Sequence, residues 1–322
     1  ATAVWMCGFR GLTMPRWLLF LIFFTVAVLI LGGVHYYFYR RLVLGPALPA
    51  PWGRVFTLTL LLLAVCFPIS FLVQRTLGVG VGRYFLFPIY IWLGVMLMLF
   101  FVLLLTDIAL GLGWIGARLS GRAGLFTDPA RKLLVARVVA AGAFGLVAVA
   151  AAIGTWRGLA RLEVRSVDVR LRGLPAAMDG FTIVQLTDLH LGAMRSASWF
   201  DDVVTRTNAL QPDLIAITGD FADAPPAALG PGVVAALRRL QAPHGVFFVT
   251  GNHEYFIDLQ GWLDLLKHAG VRVLRNERVP IRRGDAVFDL AGIDDHDGAR
   301  LASGHGANVA RALSGRDERR PV

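Results

Sequence analysis

The chain is poor in charge and nearly free of cysteine. Only 17% of its 322 residues are Asp, Glu, Lys or Arg, while 56% are hydrophobic. Of its two cysteines, Cys7 lies near the terminus and Cys66 lies inside an apolar run, so no disulfide between them is expected. The part after Trp156 has no cysteine, which suits a reducing and an oxidising compartment equally. Acid is the scarcest type in the first half. Residues 1–156 carry 12 Lys/Arg and 2 Asp/Glu, whereas residues 157–322 carry 20 of each. The net charge of +10 therefore belongs to the hydrophobic half, where basic residues between apolar runs orient a membrane protein. They form no basic stripe on a soluble domain, and no nucleic-acid partner is predicted. Repeats and low-complexity tracts are missing too, apart from an Ala and Gly bias in residues 138–156.

Long apolar runs are what the first half has instead. Residues 17–39, 55–74, 84–106 and 138–156 contain no Asp, Glu, Lys or Arg. Each approaches the ~20 apolar residues that a helix needs to cross a bilayer core. They predict a four-helix transmembrane region over 17–156, preceded by an N-terminal extension over 1–16. The competing reading, buried helices of a large soluble core, fits charges confined to run ends poorly. Met14-Pro15-Arg16 reads as a natural start, with residues 1–13 as an upstream extension. The first run is too long for a cleaved leader and reads as a retained span. The small residues of the fourth run suit close helix packing.

Four spans place the N-terminus and the second half on one side. The loops after spans one and three hold Arg40, Arg41, Arg54, Arg118, Arg122, Arg131 and Lys132, with Arg137 directly before the fourth run; the other face has Arg10, Arg16, Arg75 and Arg83. The count favours the more basic face as cytoplasmic. The second half of this multi-pass cell-membrane protein would then be extracytoplasmic, although Arg157, Arg161 and Arg165 pull the other way. Asp107 closes the third run and reads as a solvated interfacial acid, which leaves the spans without a paired intramembrane charge. Gly78 to Gly82 reads as a glycine-rich loop between spans.

After Trp156 the pattern becomes that of an α/β domain, residues 157–322. Alternation over 163–171 predicts a strand. Strands are also expected over 181–186, 213–217, 246–249, 271–274, 279–283 and 286–292, with helices over 199–210, 227–240 and 259–269. Strands alternating with helices mean a largely parallel sheet.

Three polar clusters each follow a strand: Asp188-Leu-His190, Gly219-Asp220-Phe-Ala-Asp223 and Gly251-Asn252-His253-Glu254. Ligands bind at the carboxyl ends of strands in open α/β sheets, so the clusters are expected to meet at one edge. Carboxylate, imidazole and amide oxygen suit a hard or borderline divalent ion. In extended backbone, residues two apart face one way, so Asp188 and His190 can meet one ion. Asp220 is suited to bridge two ions that clamp a phosphate and activate water. An isolated Asp at a strand end is more often a turn or cap residue, and Asp-x-His alone is common by chance. All three clusters in order make coincidence a poor explanation.

This ordered set resembles the calcineurin-like metallophosphoesterase superfamily. Residues 174–192 (LPAAMDGFTIVQLTDLHLG) are similar to its bacterial membrane-associated branch. The resemblance covers roughly residues 163–295 and implies a β-sandwich flanked by helices with a two-metal site. It implies that Asp188 and His190 bind a first ion, that Asp220 bridges, and that Asn252 binds the second. It also implies that His253 contacts the phosphate and protonates the leaving oxygen, with Asp223 and Glu254 in support. The ions would be Mn, Fe or Zn. The family's later His and its Gly-His-x-His loop have no counterpart here, since Gly304-His305-Gly306 is followed by Ala307. His305 and His296 read as loop residues, His244 and His268 as surface positions. The domain is therefore expected to be the N-terminal part of a longer one, with the remaining strands and histidines beyond Val322.

Two functions follow as expectations. One is a membrane-anchored phosphoesterase acting on phosphate esters, lipid-linked ones among them, with membrane lipid as its surroundings. The other is a catalytically incomplete membrane protein with a metal-binding α/β domain. A transporter with an appended domain is the weaker third.

Overall fold

The computed structural model describes residues 15–76, 78–122, 127–158, 162–229 and 231–322. The proposed start at Met14, Cys7 and Arg161 lie outside them. The chain forms two compact units, one holding Thr13–Arg161 and the other Leu162–Val322.

In the first unit α1 (Arg16–Phe38) continues through a π-helical segment, Tyr39–Leu44. It is followed by α2 (Trp52–Thr76), α3 (Gly78–Leu119) and α4 (Pro129–Gly158). All four are long and apolar enough to cross a membrane. A small core of Phe38, Leu99, Leu103, Ala143 and Val147 holds them together. Most other apolar side chains face outward, with Phe23, Leu29, Leu58 and Leu105 all more than half exposed. Such a surface is stable against lipid and not against water, so the soluble-core reading fails and this is a membrane protein.

Two expectations change here. Gly78 to Gly82 is not a loop: α3 begins at Gly78 and includes the stretch. Asp107 is not a lone solvated acid, because α3 runs past it to Leu119. Its carboxylate lies 2.6 Å from the Arg41 guanidinium and accepts from the Tyr37 hydroxyl at 2.7 Å. The first unit therefore does contain a paired charge, and that argument against a transporter lapses. Nearby, the Trp92 indole N–H donates to Nε2 of buried His35 at 3.2 Å.

The second unit is built on four parallel strands in the order β1 (Ile183–Leu186), β2 (Leu214–Thr218), β3 (Val246–Val249), β4 (Arg272–Val273). An antiparallel hairpin, β5 (Glu277–Arg283) with β6 (Ala286–Gly292), forms a second sheet. Alternation along β2 and β3 explains the layering, because successive side chains face opposite ways. Ile215, Ile217 and Phe248 pack with Phe200, Val204, Leu237, Trp262 and Leu266 of α5 (Ala197–Ala209), α7 (Pro231–Leu237) and α9 (Leu259–His268). Leu214 and Phe247 point to the other face and pack with Met178, Leu274, Ile281 and Phe288. Each large apolar side chain buried this way contributes about 1.5–3 kcal/mol of transfer free energy. The sheet is thus covered by helices on one face and the hairpin on the other, the flanked sandwich expected of an α/β metallophosphoesterase-type domain.

Residues 163–171 form no strand. Val167 and Val169 are 78% and 70% exposed, and an alternating pattern without a ladder partner stays merely extended. The single helix expected over 227–240 is two, α6 (Pro226–Leu229) and α7, since Pro231 cannot donate to a preceding turn and starts a helix afresh. His244 is half-buried and stacks on Phe181, with ring centroids 5.1 Å apart.

Candidate metal centre

The loops after β1 and β2 zip together. His190 N–H donates to the Asp220 carbonyl at 2.9 Å, Leu191 N–H to that of Phe221 at 2.9 Å, and Asp223 N–H to that of Leu191 at 2.8 Å. Asp188, His190 and Asp220 all adopt positive φ, 54°, 46° and 51°, a conformation that costs non-glycine residues about 1–3 kcal/mol each and clusters at functional sites. The Arg195 guanidinium braces the first loop, donating to the carbonyls of Asp188 (3.0 Å) and Leu189 (3.1 Å) and lying over the Trp199 ring.

The ends of β2 and β3 approach so closely that only glycine fits. A Cβ on Gly219, whose φ is +79°, would sit 2.5 Å from Gly251 N, and one on Gly251 would sit 2.3 Å from Asp220 Oδ1. This brings the Asp220 carboxylate to α8 (Asn252–Ile257), where its Oδ1 accepts the His253 N–H at 3.1 Å. The fully buried Glu254 fixes the junction from beneath. Its two oxygens accept the backbone N–H groups of Asp220 (3.1 Å), Phe221 (2.8 Å) and Gly251 (2.8 Å). Burial pushes the Glu254 carboxyl up from its usual range, against the lowering effect of those bonds.

Above this floor the ionisable side chains meet. His190, Asp220 and His253 offer ligand atoms all within 4.8 Å of one another. Asp223 Oδ1 takes both imidazoles, Nδ1 of His190 at 2.8 Å and Nδ1 of His253 at 2.7 Å. A carboxylate oxygen only accepts, so both Nδ1 atoms carry the hydrogen and Nε2 is the free nitrogen of each ring. Carboxylate–histidine pairs of this kind orient metal-binding imidazoles and raise their basicity. Gly192 makes room, since a Cβ there would stand 3.3 Å from that of Asp223. Asp188 Oδ1 lies 3.9 Å from His190 Nε2. Asn252 is half-buried and opens α8 immediately before His253. The donor set of carboxylate and imidazole fits a divalent cation.

Sequence reasoning missed a second network beside the first. His305 is not a free loop residue. Its Nδ1 accepts from the Arg275 guanidinium at 2.7 Å and lies 3.3 Å from the Tyr255 hydroxyl, while Arg275 makes a two-bond pair with buried Asp294 at 2.9 and 2.7 Å. Burial, with the Arg275 charge beside it, lowers the His305 pKa. Gly298 and Gly306 admit this packing, a Cβ on Gly298 meeting the Tyr255 hydroxyl at 2.8 Å. Only the charged residues Arg275 and Asp294 could have hinted at it, and nothing in their spacing does.

Fold and site together define a membrane protein whose α/β domain carries, at its strand ends, a His/Asp cluster that fits a metal ion. The family model for calcineurin-like phosphoesterase matches residues 181–318, and this segment belongs to that family. Among relatives, a transmembrane protein with metallophosphoesterase domain from Bos taurus is 35% identical over 61% of this chain and 45% of its own length. A protein of the same description from Danio rerio is 33% identical over 50% of this chain and 38% of its own. An uncharacterised metallophosphoesterase of Campylobacter jejuni is 28% identical over 86% of this chain and 71% of its own. The chain thus spans less than half the length of the two vertebrate relatives.

Proposed function

We propose that this protein is a membrane-anchored, metal-dependent phosphoesterase that hydrolyses phosphoester bonds at a two-metal site. The observation that carries the reading is the pairing of two imidazoles on one Asp223 oxygen, with Asp220 alongside. Asp188 and His190 would hold the first ion, Asn252 the second, and Asp220 both. When bound, such ions (Mn, Fe or Zn) polarise a phosphoryl oxygen and make water acidic enough to act as a nucleophile near neutral pH. The protein's own part is to position. Glu254 and the two glycines hold Asp220 in place, and Asp223 fixes both ring planes. In its protonated form His253 keeps Nδ1–H on Asp223 and presents Nε2–H to the leaving oxygen, a general-acid role worth about 10²–10⁴ in rate.

The test uses the purified chain, chromogenic phosphomonoesters and phosphodiesters, and each of the three metals. Turnover by the wild type, cut about 10²–10⁴-fold by His253→Ala with bound metal unchanged, is the expected result. Loss of metal in His253→Ala would move His253 into the ligand set.

A second reading is a metal-binding domain without turnover. It is favoured by the cluster itself, since among the described residues only two histidines and one aspartate group so closely. Metal binding with no hydrolysis of any ester would establish it. The larger number of basic residues in the loops after spans one and three supports an extracytoplasmic domain. Protease added to intact cells would then remove it. The location also makes lipid-linked phosphates a reasonable substrate class.

A further inference from the structure

The membrane unit has a cleft that no part of the phosphoesterase reading uses. It holds about 460 Å³ and is lined by Tyr39, Val43, Leu48, Gly53, Arg54 and Leu58, among others. That volume lies within the ~300–1,000 Å³ of small-molecule sites. It sits where the first candidate span ends and the second begins, Trp17–Leu44 and Trp52–Ser70. The aromatics at this level are Tyr36 and Trp52, 60% and 61% exposed, as in the interfacial belts found at headgroup depth. One wall, Tyr39–Leu44, is π-helical, a local unwinding often found at functional positions.

We propose that this cleft binds an anionic phospholipid of the surrounding bilayer, with Arg54 on the headgroup phosphate and the acyl chains along Val43, Leu48 and Leu58. Charge supports one sign only. Residues 39–58 contain Arg40, Arg41 and Arg54 and no Asp or Glu. Asp107, the acid paired with Arg41, leaves Arg54 to an outside anion. A guanidinium and a phosphate match as a charge-assisted, two-bond pair. Tyr39 lines the same cleft. Thr57 adds no donor, because its hydroxyl hydrogen is given to the Gly53 carbonyl at 2.7 Å. The apolar walls give a tethered lipid an advantage over a free phosphate, since they bury chain methylenes worth about 0.8 kcal/mol each. This inference is independent of the phosphoesterase reading and its test does not read turnover.

The full chain would be purified in detergent containing matched phosphatidylglycerol and phosphatidylcholine, and retained lipid counted by native mass spectrometry. Preferential retention of phosphatidylglycerol is expected, falling about fivefold in Arg54→Gln, the change in affinity carried by one basic residue near an anionic surface. Thr57→Phe, which fills the cleft and leaves Arg54 in place, should reduce it too, whereas Arg118→Gln should not. Equal retention of both lipids, or retention unchanged in both cleft variants, would overturn the proposal. Competition by glycerol phosphate as effective as that of the whole lipid would also overturn it, because the apolar walls would then contribute nothing.

Discussion

Asp223→Ala removes the one group that orients both imidazoles. In the folded protein a single oxygen holds Nδ1 of His190 at 2.8 Å and Nδ1 of His253 at 2.7 Å. Without it each ring is free to rotate and to move its hydrogen to Nε2, the nitrogen the centre needs. Loss of such a partner typically lowers metal affinity or activity about 10–100-fold, equivalent to about 1.4–2.7 kcal/mol. The fold should hardly notice. The Asp223 side chain is 46% exposed, so its removal strands no buried group, and surface changes of that kind stay within about 0.5 kcal/mol. Asp223→Asn should fall between, since an amide oxygen still accepts a hydrogen but carries no charge. The assay is calorimetric titration of the metal-free protein with Mn or Zn, beside a thermal melt. Wild-type affinity in a folded Asp223→Ala protein would refute the reasoning.

Two other outcomes follow from the same geometry. Gly251→Ala puts a Cβ 2.3 Å from Asp220 Oδ1 and 2.5 Å from its backbone nitrogen. Overpacking of that kind costs about 1–3 kcal/mol, so both the melting temperature and the metal affinity should drop, as a melt and a titration would read. Asp213 links β2 to the hairpin, accepting from Thr182 N–H at 2.7 Å and from Arg283 at 2.6 Å. Burial acts to raise its pKa, but these bonds outweigh it and hold the carboxyl below its usual value. The folded state therefore binds this proton more weakly than the unfolded chain does. Stability from this group is present above the unfolded pKa of about 3.9 and is lost as pH falls through the lower folded value. Asp213→Asn should flatten that part of an acid unfolding curve.

The sequence revealed the domain's strands best where they were apolar and ended in glycine or a polar cluster. Val246–Val249 and Ala286–Gly292 have the expected bounds, because burial on both faces or alternation against a partner dictates the pattern. Residues 163–171 show the limit, since alternation reports a half-buried face only if something covers it. The grouping of His190, Asp220 and His253 was legible because each follows a strand end, where topology brings the three loops to one edge. What was not legible is how they are held. Positive φ at Asp188, His190 and Asp220, the buried Glu254 and the shared Asp223 depend on loops from different strands. The Arg41–Asp107–Tyr37 group was hidden for a similar reason, since Asp107 lies 70 positions from Tyr37 along the chain and meets it only when the helices pack.

The central claim is that Asp220 holds the metal centre at the strand ends. The direct measurement is metal content per chain, by plasma mass spectrometry, of wild type and Asp220→Ala purified side by side from metal-supplemented cells. Roughly two ions per chain in the wild type, as a two-metal site requires, with none in a folded Asp220→Ala variant, is the predicted result. Full metal content in Asp220→Ala would contradict the account.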